Sequence, residues 1–458
     1  MLRYPKAVVL ALAACAVAAT AGPAAAPAAP PVKPSLSQSG LGSVLASQMR
    51  AAGSYSGAYV VNLSRGKRVF RWRAGTARIL ASNTKLFTTA AALARYGTEG
   101  TLGTEVLGRG RLDEQGIWRG DLYLRGGGDP TFGSGRFTRR SYRGGATVEG
   151  LAKSIVRAGI ERVTGRVLGD ESRFDSLRGG PDSGYGTSIW VGPLSALSFN
   201  RGLADEGGSA FQASPPAFAA ARLDAALEAR GVPVRRAPRA GRAPGGVEVL
   251  ASVDSPPMER LVKLTNKPSD NFFAETLVKD LALQARGRGT TAGGSRIAAA
   301  FARRLGSSAR LVDGSGLSRG NRASPYRVVR LLAAMTRRDE YDAFVDSLPI
   351  AGRDGTLRDR MRTGAARRRC RAKTGTLSDV SALSGYCEAR SGDIYAYSIL
   401  MNGTYPTAAR AIQDRMAQAI ASVDREPSSA SSPSSSRISV PSSCALVYFE
   451  PGSSPATT

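Results

Sequence analysis

The chain contains no histidine. That removes the usual imidazole base and the commonest metal ligand together. A Ser-His-Asp triad is excluded, and so is a His-ligated zinc hydrolase. Acidic residues are also scarce, 36 against 63 basic ones, for a formal charge of +27. Such an excess favours anionic surroundings, whether nucleic acid, membrane surface or cell-wall polymer. Nucleic acid is disfavoured because the arginines are scattered and no recognition motif is present. Past the N-terminus no run is long and apolar enough to span a bilayer. Nothing in the pattern asks for a metal or a cofactor.

Cysteine is rare, four in 458 residues. Cys15 falls in an N-terminal apolar run, Ala7 to Ala19, preceded by Arg3 and Lys6. This reads as a secretory signal. Two processing sites compete: cleavage after Ala19-Thr20-Ala21, or a lipobox-like Leu12-Ala13-Ala14-Cys15 that leaves Cys15 lipidated. Either one exports the chain to the cell envelope, where a disulfide is permitted. If Ser378-Asp379 forms a two-residue hairpin turn, Leu377 faces Val380, and the same register sets Cys370 opposite Cys387 within disulfide reach. The alternative is a pair of ordinary buried strand cysteines. Cys444 lies in the tail with no evident mate.

What the chain does hold is three short motifs in order: Ser82-Asn83-Thr84-Lys85, Ser269-Asp270-Asn271 and Lys373-Thr374-Gly375. They fit the S-x-x-K, S-D-N, K-T-G set of serine acyl-transfer enzymes. With no imidazole available, a lysine must take the proton from serine. Apolar Leu86, Phe87, Ala90, Leu93 and Ala94 predict a helix over Ser82 to Tyr96, closed by Gly97. Residues i and i+3 share a helical face, so the Lys85 amine reaches the Ser82 hydroxyl. Burial and the second cation, Lys373, are expected to lower the Lys85 pKa. The Ser82 backbone N–H at the helix start is an oxyanion donor candidate.

Each motif is weak alone, and Ser64-Arg65-Gly66-Lys67 matches S-x-x-K as well. Gly66 and the flanking strand patterns put that copy on a hairpin tip between strands 58–63 and 67–72. Ser269-Asp270-Asn271 also reads as a plain helix N-cap. Gly126-Gly127-Gly128-Asp129-Pro130 lacks the G-K-[ST] ending of a phosphate loop, and no helix pattern follows it, so it reads as a turn.

Organisation follows from the same patterns. Residues 1–21 are a signal peptide, 22–35 an Ala/Pro spacer, 36–97 the first part of a catalytic domain and 98–250 an inserted mixed α/β region. Residues 251–425 are the second part, and 426–458 a Ser/Pro-rich tail expected to be disordered. Helices are expected near 147–158, 216–230, 257–264, 270–285 and 407–423, with a strand meander at 371–377, 380–388 and 394–402. Arg235 to Gly246 reads as a solvated connector.

Beyond the three motifs, Gly120-Asp121-Leu122-Tyr123-Leu124 with Gly127-Gly128-Asp129-Pro130, Pro193-Leu194-Ser195-Ala196-Leu197, Asn266-Lys267-Pro268 and Asp313-Gly314-Ser315-Gly316-Leu317-Ser318 resemble class C low-molecular-mass penicillin-binding proteins. These are the D-alanyl-D-alanine carboxypeptidases and endopeptidases. The resemblance implies an α/β (α+β) fold: a β-lactamase/transpeptidase-like domain, an antiparallel sheet flanked by helices, interrupted by an insertion shorter than the family's. It implies Ser82, Lys85, Ser269 and Lys373 as catalytic residues, Ser82 and Thr376 as oxyanion donors, and Asn271, Thr374, Gly375 and Thr376 as substrate contacts. It also implies peptidoglycan peptides ending in D-Ala-D-Ala as substrate and β-lactams as inhibitors. Gly375 is expected to admit the substrate backbone, and Lys373 with Thr374 to bind its carboxylate. Two other readings remain: a β-lactamase, opposed by the lack of any acidic residue over 286–312, and a silent wall-binding scaffold.

Overall fold

The computed structural model describes residues 36–205 and 207–425. The expected signal peptide with Cys15, the Ala/Pro spacer, and the Ser/Pro-rich tail with Cys444 lie outside the described residues.

One sheet is five-stranded and antiparallel, in the spatial order Cys370–Leu377, Val380–Glu388, Ile394–Asn402, Ser56–Asn62, Lys67–Trp72. The N-terminal hairpin thus closes onto the C-terminal meander, with Val60 opposite Tyr397. The central strand Ile394–Asn402 is buried on both faces, which explains its nearly unbroken apolar run. Its Tyr395, Tyr397, Ile399 and Met401 pack with Leu41, Leu45, Met416 and Ile420, from the helices Gln38–Arg50 and Pro406–Ala421. Ala396 and Leu400 point the other way, into a second cluster with Val328 and Leu332 of the helix Pro325–Met335. That cluster also takes in the helix Thr84–Tyr96, buried on every side through Leu93. Gly97 ends this helix with φ 72°, a left-handed backbone that favours glycine.

The meander turn fixes its own register. Leu377 pairs with Val380 and Cys370 with Cys387, whose sulfurs are joined in a disulfide.

The second sheet is mixed, in the order Arg239–Ala240, Val167–Asp170, Ile117–Arg125, Gly103–Leu112, Glu248–Asp254, with Arg162–Val163 beside Ile117–Arg125. The helices Val148–Arg157 and Pro215–Glu228 cover it, and Val106, Leu122, Leu124, Leu151, Ile155, Leu223 and Leu227 form its core. Two expectations need correction. The Arg235 to Gly246 connector contributes the strand Arg239–Ala240, parallel to Leu168 and Gly169. Both its side chains are exposed, so pairing here is a backbone affair that leaves no apolar pattern. The last strand also runs to Asp254, past the boundary read at 250.

Gly126 to Pro130 does turn, with Asp129 Oδ1 accepting the Thr131 N–H and Oγ–H at 2.7 Å each. A helix, Gly135–Tyr142, does follow it, contrary to the reading of the sequence. Ser134 caps that helix by accepting the Phe137 N–H at 3.2 Å. Gly128 has φ 87°, and a Cβ there would lie 2.0 Å from Asp280 Oδ1. Glycine lets this turn press against the helix Asn271–Arg286.

Candidate active site

Ser82 lies in a tight 3-10 turn, Ala81–Asn83, and the α-helix proper begins at Thr84. The sequence pattern had the helix starting at Ser82. The turn is held from two sides. Ala81 is pushed to φ 46°, and Gly316 packs so closely on its carbonyl that a Cβ would stand 1.8 Å away. Asn83 Nδ2 donates to the Lys373 carbonyl at 2.9 Å, tying the turn to the strand Cys370–Leu377.

Lys85 is completely buried. Its Nζ lies 3.0 Å from Ser82 Oγ, 2.8 Å from Asn271 Oδ1 and 2.7 Å from the Ser315 carbonyl oxygen. A neutral amine keeps two N–H groups and one lone pair. With Asn271 and Ser315 taking the two N–H groups, the lone pair faces the serine hydroxyl. Burial pushes the Lys85 amine down to about 8, against the pull of Asp313, Glu275 and Asp270. Lys373 is also fully buried, and burial followed by the charge of Lys85 holds it well below the ordinary lysine range. Both amines are thus lowered, Lys85 by burial and Lys373 by burial and then by the charge of Lys85.

Lys373 Nζ donates to Ser269 Oγ at 2.8 Å and to the Thr374 carbonyl at 3.0 Å. It faces inward to Ser269, not outward to a carboxylate site as the sequence reading had it. Ser269 adopts φ 63°, in the left-handed region, which aims its hydroxyl at Lys373. Asp270 caps the helix Asn271–Arg286 by accepting the Phe273 N–H at 3.0 Å and pairs with Arg201 at 2.5 Å. The plain N-cap reading and the motif reading of Ser269-Asp270-Asn271 are thus compatible, because different residues serve each.

Asn271 donates its Nδ2 to the Trp190 carbonyl at 3.1 Å. Both ends of its amide are engaged, by Lys85 and by a loop of the 98–250 region. Gly375 shows another difference. A Cβ there would stand 2.9 Å from the Leu80 carbonyl oxygen and 3.0 Å from the Ser82 nitrogen. The space that glycine leaves is occupied by the Ser82 turn rather than left for substrate alone. Thr374 Oγ1 lies 2.7 Å from Thr356 Oγ1, and Thr376 Oγ1 accepts from Arg410 Nη2 at 3.2 Å. The decoy Ser64 sits on the hairpin tip, its Oγ accepting the Ile394 N–H at 2.9 Å.

The reading of the sequence missed the floor of the site. Glu275, one turn after Asn271, accepts the N–H groups of Gly314 at 3.1 Å and Ser315 at 2.8 Å through one oxygen, Oε1. Burial, then the neighbouring Asp313, pushes its carboxyl up to about 8. Asp313 in turn holds the Gly316 and Ser318 N–H groups at 2.8 and 2.7 Å. An acidic residue on the same helical face as Asn271 was the available signal. Among the described residues, no group of three or more Cys, Asp or Glu is arranged to hold a metal, and no helix is long and apolar enough to cross a membrane.

The chain matches the D-Ala-D-Ala carboxypeptidase 3 (S13) family over residues 38–205 and 207–423. It is similar to a D-alanyl-D-alanine carboxypeptidase of Actinomadura sp. (strain R39), 30% identical over 451 residues, covering 81% of each chain. It is also similar to carboxypeptidase DacB of Mycolicibacterium smegmatis, 33% identical over 349 residues, covering 72% of this chain and 73% of that one. Among solved structures, penicillin binding protein 4 of Haemophilus influenzae shares the fold with a TM-score of 0.69 at 20% identity, covering 81% of this chain and 97% of that one. Its complex with a β-lactam gives 0.66 at 19% identity over the same shares.

Proposed function

The chain belongs to the D-Ala-D-Ala carboxypeptidase 3 (S13) family, and from that premise we propose that it is a serine peptidase cleaving peptidoglycan stem peptides through an acyl-enzyme on Ser82. The observation that carries this reading is the 3.0 Å contact between Ser82 Oγ and a buried Lys85 amine whose other donors are spoken for.

In this mechanism Ser82 Oγ attacks the carbonyl carbon of the penultimate D-Ala, and its proton passes to the Lys85 lone pair. The resulting oxyanion is held by the backbone N–H groups of Ser82 and Thr376. When the tetrahedral intermediate collapses, the C–N bond breaks and D-Ala leaves. Its nitrogen takes, through Ser269 Oγ, the proton that Lys85 accepted from Ser82, so Lys85 becomes neutral again while Lys373 holds Ser269 in place. Water then attacks the ester carbonyl and gives a proton to Lys85, which returns it to Ser82 Oγ as the acyl C–O bond breaks. Asn271 exchanges its bond to the Trp190 carbonyl for the acyl amide of the substrate, while Thr374 and Thr376 take the terminal carboxylate. A β-lactam acylates the same serine and stalls there.

Export to the cell envelope, by a cleaved signal or through lipidated Cys15, belongs to this reading. So does attraction of the +27 chain to anionic envelope polymers or the membrane surface.

Incubation with labelled penicillin tests the proposal. A stable adduct that disappears in Ser82→Ala is expected. Rapid drug turnover indicates a β-lactamase instead, and no adduct on the wild-type protein indicates a silent scaffold.

A further inference from the structure

A peptide ending in a free carboxylate brings a full negative charge into the site, and the motif residues do not neutralise it. Thr374 and Thr376 offer hydroxyls only, and the Thr374 hydroxyl is already hydrogen-bonded with that of Thr356. Lys373, the nearest motif cation, is fully buried, faces Ser269 and is held far below the ordinary lysine range. A carboxylate in such a place needs a permanent positive charge.

Arg410 supplies one. It is exposed near the start of the helix Pro406–Ala421, and its Nη2 donates to Thr376 Oγ1 at 3.2 Å. Among the described residues it has no carboxylate partner. Asp414, one turn further along the same helix, is taken by Arg360 at 2.7 Å, and Arg360 also reaches the Arg410 carbonyl oxygen at 3.4 Å, which steadies this turn. The guanidinium is therefore held at the edge of the strand Cys370–Leu377 with donors to spare. A guanidinium's planar fork of donors matches the two oxygens of a carboxylate.

We propose that Arg410 is the cation that recognises the C-terminal carboxylate of the substrate, gripping it together with the Thr376 hydroxyl and so selecting peptides with a free end. This deepens the reading given above and rests on it. Loss of one charge-assisted hydrogen bond corresponds to about 10- to 100-fold in affinity for the transition state.

The test compares two peptides that differ only at the end, one terminating in D-Ala-D-Ala and the other in D-Ala-D-Ala amide. In Arg410→Ala, kcat/KM for the acid is expected to fall by about 10- to 100-fold, while that for the amide changes less than about threefold. Arg410→Lys is expected to recover part of the loss on the acid alone. Equal losses on both peptides would assign Arg410 a merely structural hold on Thr376 and overturn the inference, as would no loss on either. If the wild-type protein cleaves neither peptide, the peptidase reading fails and takes the inference with it. If it cleaves the acid and Arg410→Ala cleaves it equally well, only the inference fails.

Discussion

The carbonyl oxygen of Ser315 accepts a hydrogen bond from Lys85 Nζ at 2.7 Å, and the Ser315 N–H, on the other side of the same residue, is held at 2.8 Å by Glu275. Glu275 thereby positions the base without touching substrate. Glu275→Gln keeps an acceptor oxygen for both N–H groups and is expected to retain most activity. Glu275→Ala orphans two buried donors, at a cost of about 1–3 kcal/mol each, and lets Ser315 drift from Lys85. Thermal unfolding and kcat, measured for both variants, check this. Equal behaviour of the two would show that the acceptor oxygen is irrelevant.

The Lys85 amine, held at about 8 by burial, sets the acid side of the pH profile. Below that value the protonated amine cannot accept from Ser82. Acylation by penicillin is expected to rise about tenfold per pH unit from pH 6 and to level off above about 8. Lys85→Arg fixes the charge permanently and is expected to abolish acylation at every pH. A wild-type profile flat from pH 6 to 9 would remove Lys85 from the role of base.

Some of this was open to a reader of the sequence, for identifiable reasons. The helix after Ser82 declares itself through Leu86, Phe87, Ala90 and Leu93, because its neighbours demand apolar contacts at that period. The meander register follows from a two-residue turn, since nothing longer intervenes to let the strands slip. By contrast, the bonds from Arg201 to Asp270, from Asn271 to Trp190 and from Arg410 to Thr376 join residues far apart in the chain. No local pattern encodes them. The strand at Arg239–Ala240 was hidden because two exposed side chains carry no trace of a paired backbone, and the left-handed Ala81 and Ser269 were hidden because tertiary packing imposes them.

Gly375 offers a sharper probe of the serine turn than any charged residue. A methyl group there would stand 3.0 Å from the Ser82 nitrogen and 2.9 Å from the Leu80 carbonyl oxygen, both backbone atoms that cannot swing aside. Gly375→Ala must move the turn away from the strand and crowd the proposed oxyanion donor. Loss of one such donor costs about 10²- to 10³-fold, so acylation is expected to fall by at least about 100-fold. The melting temperature is expected to fall by only a few degrees, because overpacking of this kind costs about 1–3 kcal/mol and the strand keeps its ladder and the Cys370–Cys387 disulfide. Unimpaired acylation would mean that the turn tolerates a displacement the close packing argues against.

Away from the serine, Asp129 and Asp280 face each other where the glycine turn meets the helix Asn271–Arg286, and both are buried. Neither oxygen of Asp280 has a hydrogen-bond partner. Burial, then the proximity of Asp129, raises Asp280 well above the usual carboxylate range, with Arg173 opposing. Burial pushes Asp129 up to about 7. Between the ordinary aspartate value and about 7, the folded protein keeps protons that the unfolded chain has lost. Stability contributed by these groups therefore falls as pH rises through that window. Asp280→Asn cannot ionise, so its melting temperature is expected to gain on the wild type as pH rises, the difference between the two growing by at least about 2 °C from pH 5 to pH 7.5. A difference that fails to grow would mean that the Asp280 carboxylate has a partner worth keeping ionised.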